Sequence, residues 1–232
     1  MEWCRFQDAA WIRVSLLPFA DESSVSVCRL VKKVALPMIP RRLPHAPLQV
    51  DLAPDFIRSL RMHQARVSIT ASAVRGYQQG TVARARLHLA TQLRLGAFRV
   101  GGERAFASRL DDATDELCRV LPVRSRSWGV ARKLLNIYLR DCSYCRFLCQ
   151  HYRLVQVEHF LEVPLDSIVA KGLRLAADRT NAGLLVPRWN SVKRLSREDS
   201  TAFQHAARAL AASRGLARVH LDVVLWGDRD EP

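Results

Sequence analysis

Nowhere in the sequence do eighteen apolar residues run together, and the longest early apolar stretch, residues 9 to 20, is cut by Arg13 and broken by Pro18. A bilayer-spanning helix needs about 20 predominantly apolar residues, so no membrane span is expected. A secretory leader is not expected either, because Glu2 and Asp8 stand where a positive n-region belongs. The chain thus reads as a soluble, cytoplasmic protein. It also lacks internal repeats and low-complexity tracts. Lysine is scarce, with 5 against 31 arginines, and acidic residues number 22 against 36 basic ones. The resulting net charge of +14 favours a polyanionic partner, since each cation set on a phosphate releases condensed counterions. DNA is the first choice and RNA the second. An arginine-rich, alanine-rich composition also arises from GC-rich coding without any binding role, in which case the protein is an interaction protein of another kind.

The charge has a location. Between Glu116 and Asp141 there is no acidic residue, while Arg119, Arg124, Arg126, Arg132, Lys133 and Arg140 supply six positive charges. Residues 175 to 232 hold nine basic and seven acidic side chains and are nearly balanced. The anion-facing surface is therefore expected around residues 119 to 140.

With 49% hydrophobic residues and a mean hydropathy of −0.07, the chain can bury one sizeable core. Pro37, Pro40, Pro44, Pro47 and Pro54 exclude regular structure nearby and mark an extended linker. Residues 1 to 54 are accordingly read as a leader and linker, too small for a core of their own and either disordered or loosely docked. Met38 is an alternative start. Residues 55 to 232 are read as one all-α domain. Helices are expected from about Phe56, from Gly80–Thr81 to a stop at Gly96, from Glu103 to Val120, after Ser127 as N-cap, from Asp166, and from Arg197 to Ser213. The tail from Arg218 to Trp226 fits a short strand or a closing helix.

Two segments carry a possible chemistry. One is Leu121-Pro122-Val123-Arg124-Ser125-Arg126-Ser127-Trp128-Gly129-Val130-Ala131-Arg132-Lys133-Leu134-Leu135-Asn136, and the other is Val163-Pro164-Leu165-Asp166-Ser167-Ile168-Val169. Over about 50 of the 232 residues the chain resembles the helix-hairpin-helix DNA glycosylase superfamily. Its members carry a Leu-Pro-Gly-[Val/Ile]-Gly hairpin, a following helix with a lysine, and a later Val-Asp-x-x-Val helix start. The 33-residue separation of Lys133 and Asp166 is closest to the archaeal 8-oxoguanine glycosylase branch. The resemblance implies a two-lobed helical fold and base excision from DNA, and no cofactor or metal is expected. Lys133 matches the nucleophile and Asp166 the essential aspartate. A lysine attacks a sugar C1′ only when neutral, which requires a dry pocket, and the aspartate steadies the developing oxocarbenium charge.

Two hairpin glycines of the family pattern are lost to Arg124 and Arg126, leaving Gly129. Phosphate contacts then fall to Arg124, Arg126, Arg132 and Arg140 and to the helix start at Ser127 and Gly129. A flipped base needs aromatic walls, for which Trp128, Tyr138 and Trp189 are the candidates, with Trp226 as a further one. Plainer readings stand beside these. Lys133, Asn136 and Arg140 at i, i+3 and i+7 fit a solvated helix face, and Asp166 fits an ordinary N-cap. A non-enzymatic helical nucleic-acid-binding module, with the same arginines on phosphates, is the alternative function.

Other features point less far. Cys142, Cys145 and Cys149 share one expected helical face, with His151 nearby, and read as structural thiols in preference to a metal site. Disulfides are not expected of six unevenly spread cysteines. The stretch Arg75 to Thr81 fits a phosphate-contacting loop, but matches no nucleotide fingerprint and reads better as a plain turn. His220 and Asp222, without a G-x-S-x-G elbow, read as a structural hydrogen-bonding pair.

Overall fold

The computed structural model describes residues 52–180 and 185–227. The leader and linker, including Cys4, Cys28 and Met38, lie outside the described residues except for the last few positions before α1. The described chain is all-helical, with no strand.

Pro54 opens helix α1 (Pro54–Ser68), where its missing N–H costs nothing and its fixed φ suits the first turn. Gly80, at φ 85°, provides the left-handed entry to α2 (Thr81–Thr91). That helix stops short of Gly96, and the buried turn Leu95–Phe98 follows as a 3-10 segment. Helix α3 (Glu103–Val120) buries Phe106, Leu110, Ala113, Thr114 and Leu117, an unbroken stripe at helical spacing, and ends before Pro122. Ser127 caps α4 (Trp128–Tyr144) by accepting the Val130 N–H.

Helix α4 buries eleven residues, on most of its circumference, and so forms the axis of the molecule. The solvated-face reading of this helix is overturned, because Asn136 is 3% exposed and the Lys133 side chain 13%. The chain breaks at Cys145 before α5 (Arg146–Tyr152), so Cys142, Cys145 and Cys149 do not share one helix. A 3-10 stretch, Leu154–Phe160, and an extended segment lead to α6 (Ser167–Thr180). The turn Val192–Arg194 precedes α7 (Arg197–Ser213), capped by Ser196 and closed near Gly215. The tail is a helix, α8 (Leu221–Gly227), after a 3-10 turn.

Two hydrophobic clusters organise these elements. The larger joins α1 to α5 and the Leu95–Phe98 and Leu154–Phe160 turns. The smaller joins the 163–165 segment with α6, α7 and α8. Helix α4 also reaches the elements of the smaller cluster through the Val192–Arg194 turn and α7.

Candidate active site

Folding brings the two separated residues together. Lys133 projects from α4, and its Nζ lies 3.8 Å from Asp166 Oδ2. Both side chains are largely buried, at 13% and 16% exposure. Asp166 is fixed by its own helix, since Oδ1 accepts the N–H groups of Ile168 and Val169 at 3.0 Å each. The N-cap reading of Asp166 therefore holds, and it leaves Oδ2 to face the amine. Burial lowers the Lys133 pKa below the usual lysine range, and the Asp166 charge only partly opposes that fall.

The pair lines a cleft of about 480 Å³, a volume within the range of small-molecule sites. Its walls come from both clusters: Ser68, Thr70, Ser72, Arg75 and Ile137 on one side, and Pro164, Ser167, Asp222 and Trp226 on the other. Arg140 also lines it, one guanidinium nitrogen on Asp141 at 2.7 Å and another paired with Asp222. The cleft's aromatic wall is thus Trp226 on α8.

The three other aromatic candidates sit elsewhere. Tyr138 is fully buried in the larger cluster, and burial pushes its hydroxyl pKa up. Trp189 packs edge-on against Phe203 at 5.5 Å. Trp128 lies between the guanidinium groups of Arg132 and Arg197, at 5.0 and 5.4 Å.

The proposed phosphate contacts divide sharply. Arg124 and Arg126 are exposed, although the Arg126 guanidinium also bonds the carbonyls of Arg119 and Leu121. Arg132 is 5% exposed and does not face solvent. Its Nε and Nη2 donate to both oxygens of Glu162 at 2.8 and 3.1 Å, and its Nη1 donates to Asp111 and Thr114. Arg140 is likewise engaged by two carboxylates. Gly129 is buried against the 192–195 turn, where a Cβ would meet the Val192 carbonyl and, at 2.7 Å, Leu195 Cβ. Its role is close packing, so the surface role expected of Arg132 and Gly129 is corrected by their burial. The Ser127 oxygen accepts the Val130 N–H in its cap, and its own O–H stays a donor.

Glu162 was not anticipated. It accepts from Arg132 and from Asn136 Nδ2 at 3.0 Å. Burial pushes its carboxyl up, but the Arg132 charge and these hydrogen bonds outweigh that and hold it below the ordinary range. The available signal was a carboxylate set among Leu161, Val163 and Pro164, where an apolar run demands a buried partner. The expected pairing of His220 with Asp222 is replaced by two separate contacts. His220 Nδ1 meets the Tyr144 hydroxyl at 2.9 Å and its Nε2 meets Glu158 at 3.2 Å, while Asp222 belongs to Arg140.

Among the described residues no group of three or more His, Cys, Asp or Glu side chains is placed to hold a metal ion. Burial raises the pKa of the Cys142 and Cys149 thiols, which disfavours their thiolate forms. No described helix is long and apolar enough to cross a membrane. Comparison with protein-family models, curated proteins and solved structures found no match in any of the three.

Proposed function

We propose that the chain is a base-excision DNA glycosylase with an associated lyase activity, built as a two-lobed helical protein of the helix-hairpin-helix glycosylase kind. The observation that carries this reading is the desolvated Lys133 amine 3.8 Å from the Asp166 carboxylate inside a cleft. A damaged or modified nucleotide turned out of the duplex enters that cleft. Positive charge grows on the deoxyribose as the C1′–N bond breaks, and the base leaves with the bonding electron pair. The Asp166 carboxylate stabilises that charge. Neutral Lys133 donates its lone pair to C1′ and gives up a proton, forming the N–C1′ bond. That proton passes to the departing base; the nitrogen lone pair then forms the C1′=N bond as the C1′–O4′ bond breaks, O4′ takes a proton from water, and the opened sugar is left as a protonated Schiff base. Arginine could not replace the lysine, because it does not deprotonate. Trp226 supplies a face against which the base can stack. The protein acts in the cytoplasm on this reading, without cofactor.

Borohydride reduces a Schiff base to a stable amine and so links protein to DNA. With a panel of lesion-bearing duplexes the chain is expected to give such an adduct, and Lys133→Gln to give none. Failure of every lesion to yield an adduct would remove the lyase reading. The alternative is a purely binding module with Arg124, Arg126, Arg132 and Arg140 on phosphates; it loses two of its four contacts, because the Arg132 and Arg140 guanidinium groups are already held by carboxylates, and keeps the exposed Arg124 and Arg126.

A further inference from the structure

The cleft contains three cations, and two of them are matched. Lys133 faces Asp166, and Arg140 lies between Asp141 and Asp222. The third, Arg75, is exposed, and its guanidinium has no hydrogen-bond or ion-pair partner among the described residues. A site whose carboxylates are each paired thus keeps, among the described residues, one uncompensated positive charge. The hydroxyls of Thr70 and Ser72 line the same cleft and are hydrogen-bonded to each other at 2.7 Å, which leaves one of the two O–H groups free to donate to an anion.

The segment that carries Arg75 is held by buried Val74 before it and by Gln78 after it. Next to it Gly76 takes φ 80°. On the far side, the Gln78 N–H donates to Ser125 Oγ at 2.9 Å, and Gln78 Oε1 accepts the Arg124 N–H at 3.1 Å. Arg75 is therefore an exposed fork on a fixed base. A planar guanidinium with free donors suits bidentate contact to a phosphodiester oxygen pair.

We propose that Arg75, with the Thr70 and Ser72 hydroxyls, forms a subsite for a backbone phosphate next to the nucleotide held in the cleft. This rests on reading the cleft as a nucleotide site, and it names the residue that would hold the strand beside it. The enzyme acts on a polynucleotide and not on a free nucleoside, which has no phosphodiester to offer the subsite.

The test measures binding to a duplex carrying a tetrahydrofuran abasic analogue, across a series of salt concentrations. Arg75→Gln is expected to weaken binding about tenfold, as loss of one charge-assisted hydrogen bond does. The salt slope is expected to become shallower by about 0.9, the value for one phosphate contact on a duplex. Replacing single linkages by neutral methylphosphonate should identify one position that weakens the wild-type protein and leaves Arg75→Gln unaffected. An unchanged affinity and slope in Arg75→Gln overturns the proposal, as does an equal change in Arg104→Gln, which removes an exposed arginine of α3. The two readings fail separately. Borohydride adducts that form equally well in Arg75→Gln, with unchanged binding, remove only the phosphate subsite. Arg75-dependent binding with no adduct on any lesion removes only the glycosylase chemistry.

Discussion

A lysine amine is a nucleophile only after losing its proton, so the fate of one proton on Lys133 decides the proposed reaction. Two opposing effects act on it. Withdrawal from water disfavours the ammonium, and the Asp166 carboxylate favours it; burial is the larger. Schiff-base formation with an aldehydic abasic duplex should therefore rise with pH and level off at a midpoint below the ordinary lysine value. Asp166→Asn removes the opposing charge and should move the midpoint lower still. A midpoint at the ordinary lysine value, read from adduct yield against pH, would mean that the amine is solvated in the working protein. Arg132, its chain neighbour, has the opposite fate: it lies in the interior and its charge is spent on Glu162 and Asp111.

Helix ends set the geometry of the site. Asp166 caps α6 with one oxygen and faces Lys133 with the other, so two substitutions separate the structural role from the electrostatic one. Asp166→Asn keeps a side-chain acceptor and should leave thermal stability nearly unchanged while base excision is lost. Asp166→Ala removes the cap as well, costing about 1 kcal/mol in denaturant unfolding. Equal stability of the two variants would show that the cap contributes nothing. At the start of α4, Gly129 lies one turn before Lys133, on the same face, because residues four apart rise about 6 Å along a helix. The 192–195 turn rests on that glycine. Gly129→Ala must displace the turn and should destabilise the protein by about 1–3 kcal/mol, the usual cost of overpacking, measured as a shift of the unfolding midpoint.

At the scale of the whole molecule, the cleft depends on how the two clusters are joined. Arg132 on α4 holds Glu162, four residues before Asp166. Arg197 on α7 pairs with Asp111 and Asp115 on α3, at 3.3 and 2.6 Å. Within the smaller cluster, buried Gln204 of α7 fixes the backbone of Val163, donating to its carbonyl at 2.8 Å and accepting its N–H at 3.2 Å. Glu162→Gln leaves the Arg132 guanidinium with Asp111 as its remaining carboxylate, and should cost about 3–5 kcal/mol, the range for breaking a buried pair. The pH dependence has a definite sign. The Glu162 carboxyl is held below its unfolded value, so its contribution is complete above the ordinary carboxylate range and is lost as pH falls through the lowered value. Urea unfolding at a series of pH values should show a gentler acid-side decline in the variant, and identical profiles would remove Glu162 from the account.

Sequence periodicity alone determined the helical class and several boundaries, among them Glu103–Val120, the Ser127 cap and Arg197–Ser213, because stripes and caps are local properties of the chain. It did not determine which faces are buried. The expected solvated face of α4 is packed, since a central helix meets neighbours all round and hides its polar residues in pairs with remote carboxylates. The break at Cys145 and the separation of His220 from Asp222 were equally hidden, as both follow from neighbours distant in the chain. Lys133 and Asp166 were legible as residues; their approach to 3.8 Å was decided by packing. So were the choice of Trp226 among the four candidate aromatics as the one that lines the cleft, and the lack of a partner for Arg75 among the described residues, because spacing along a chain carries no information on what lies across a cleft.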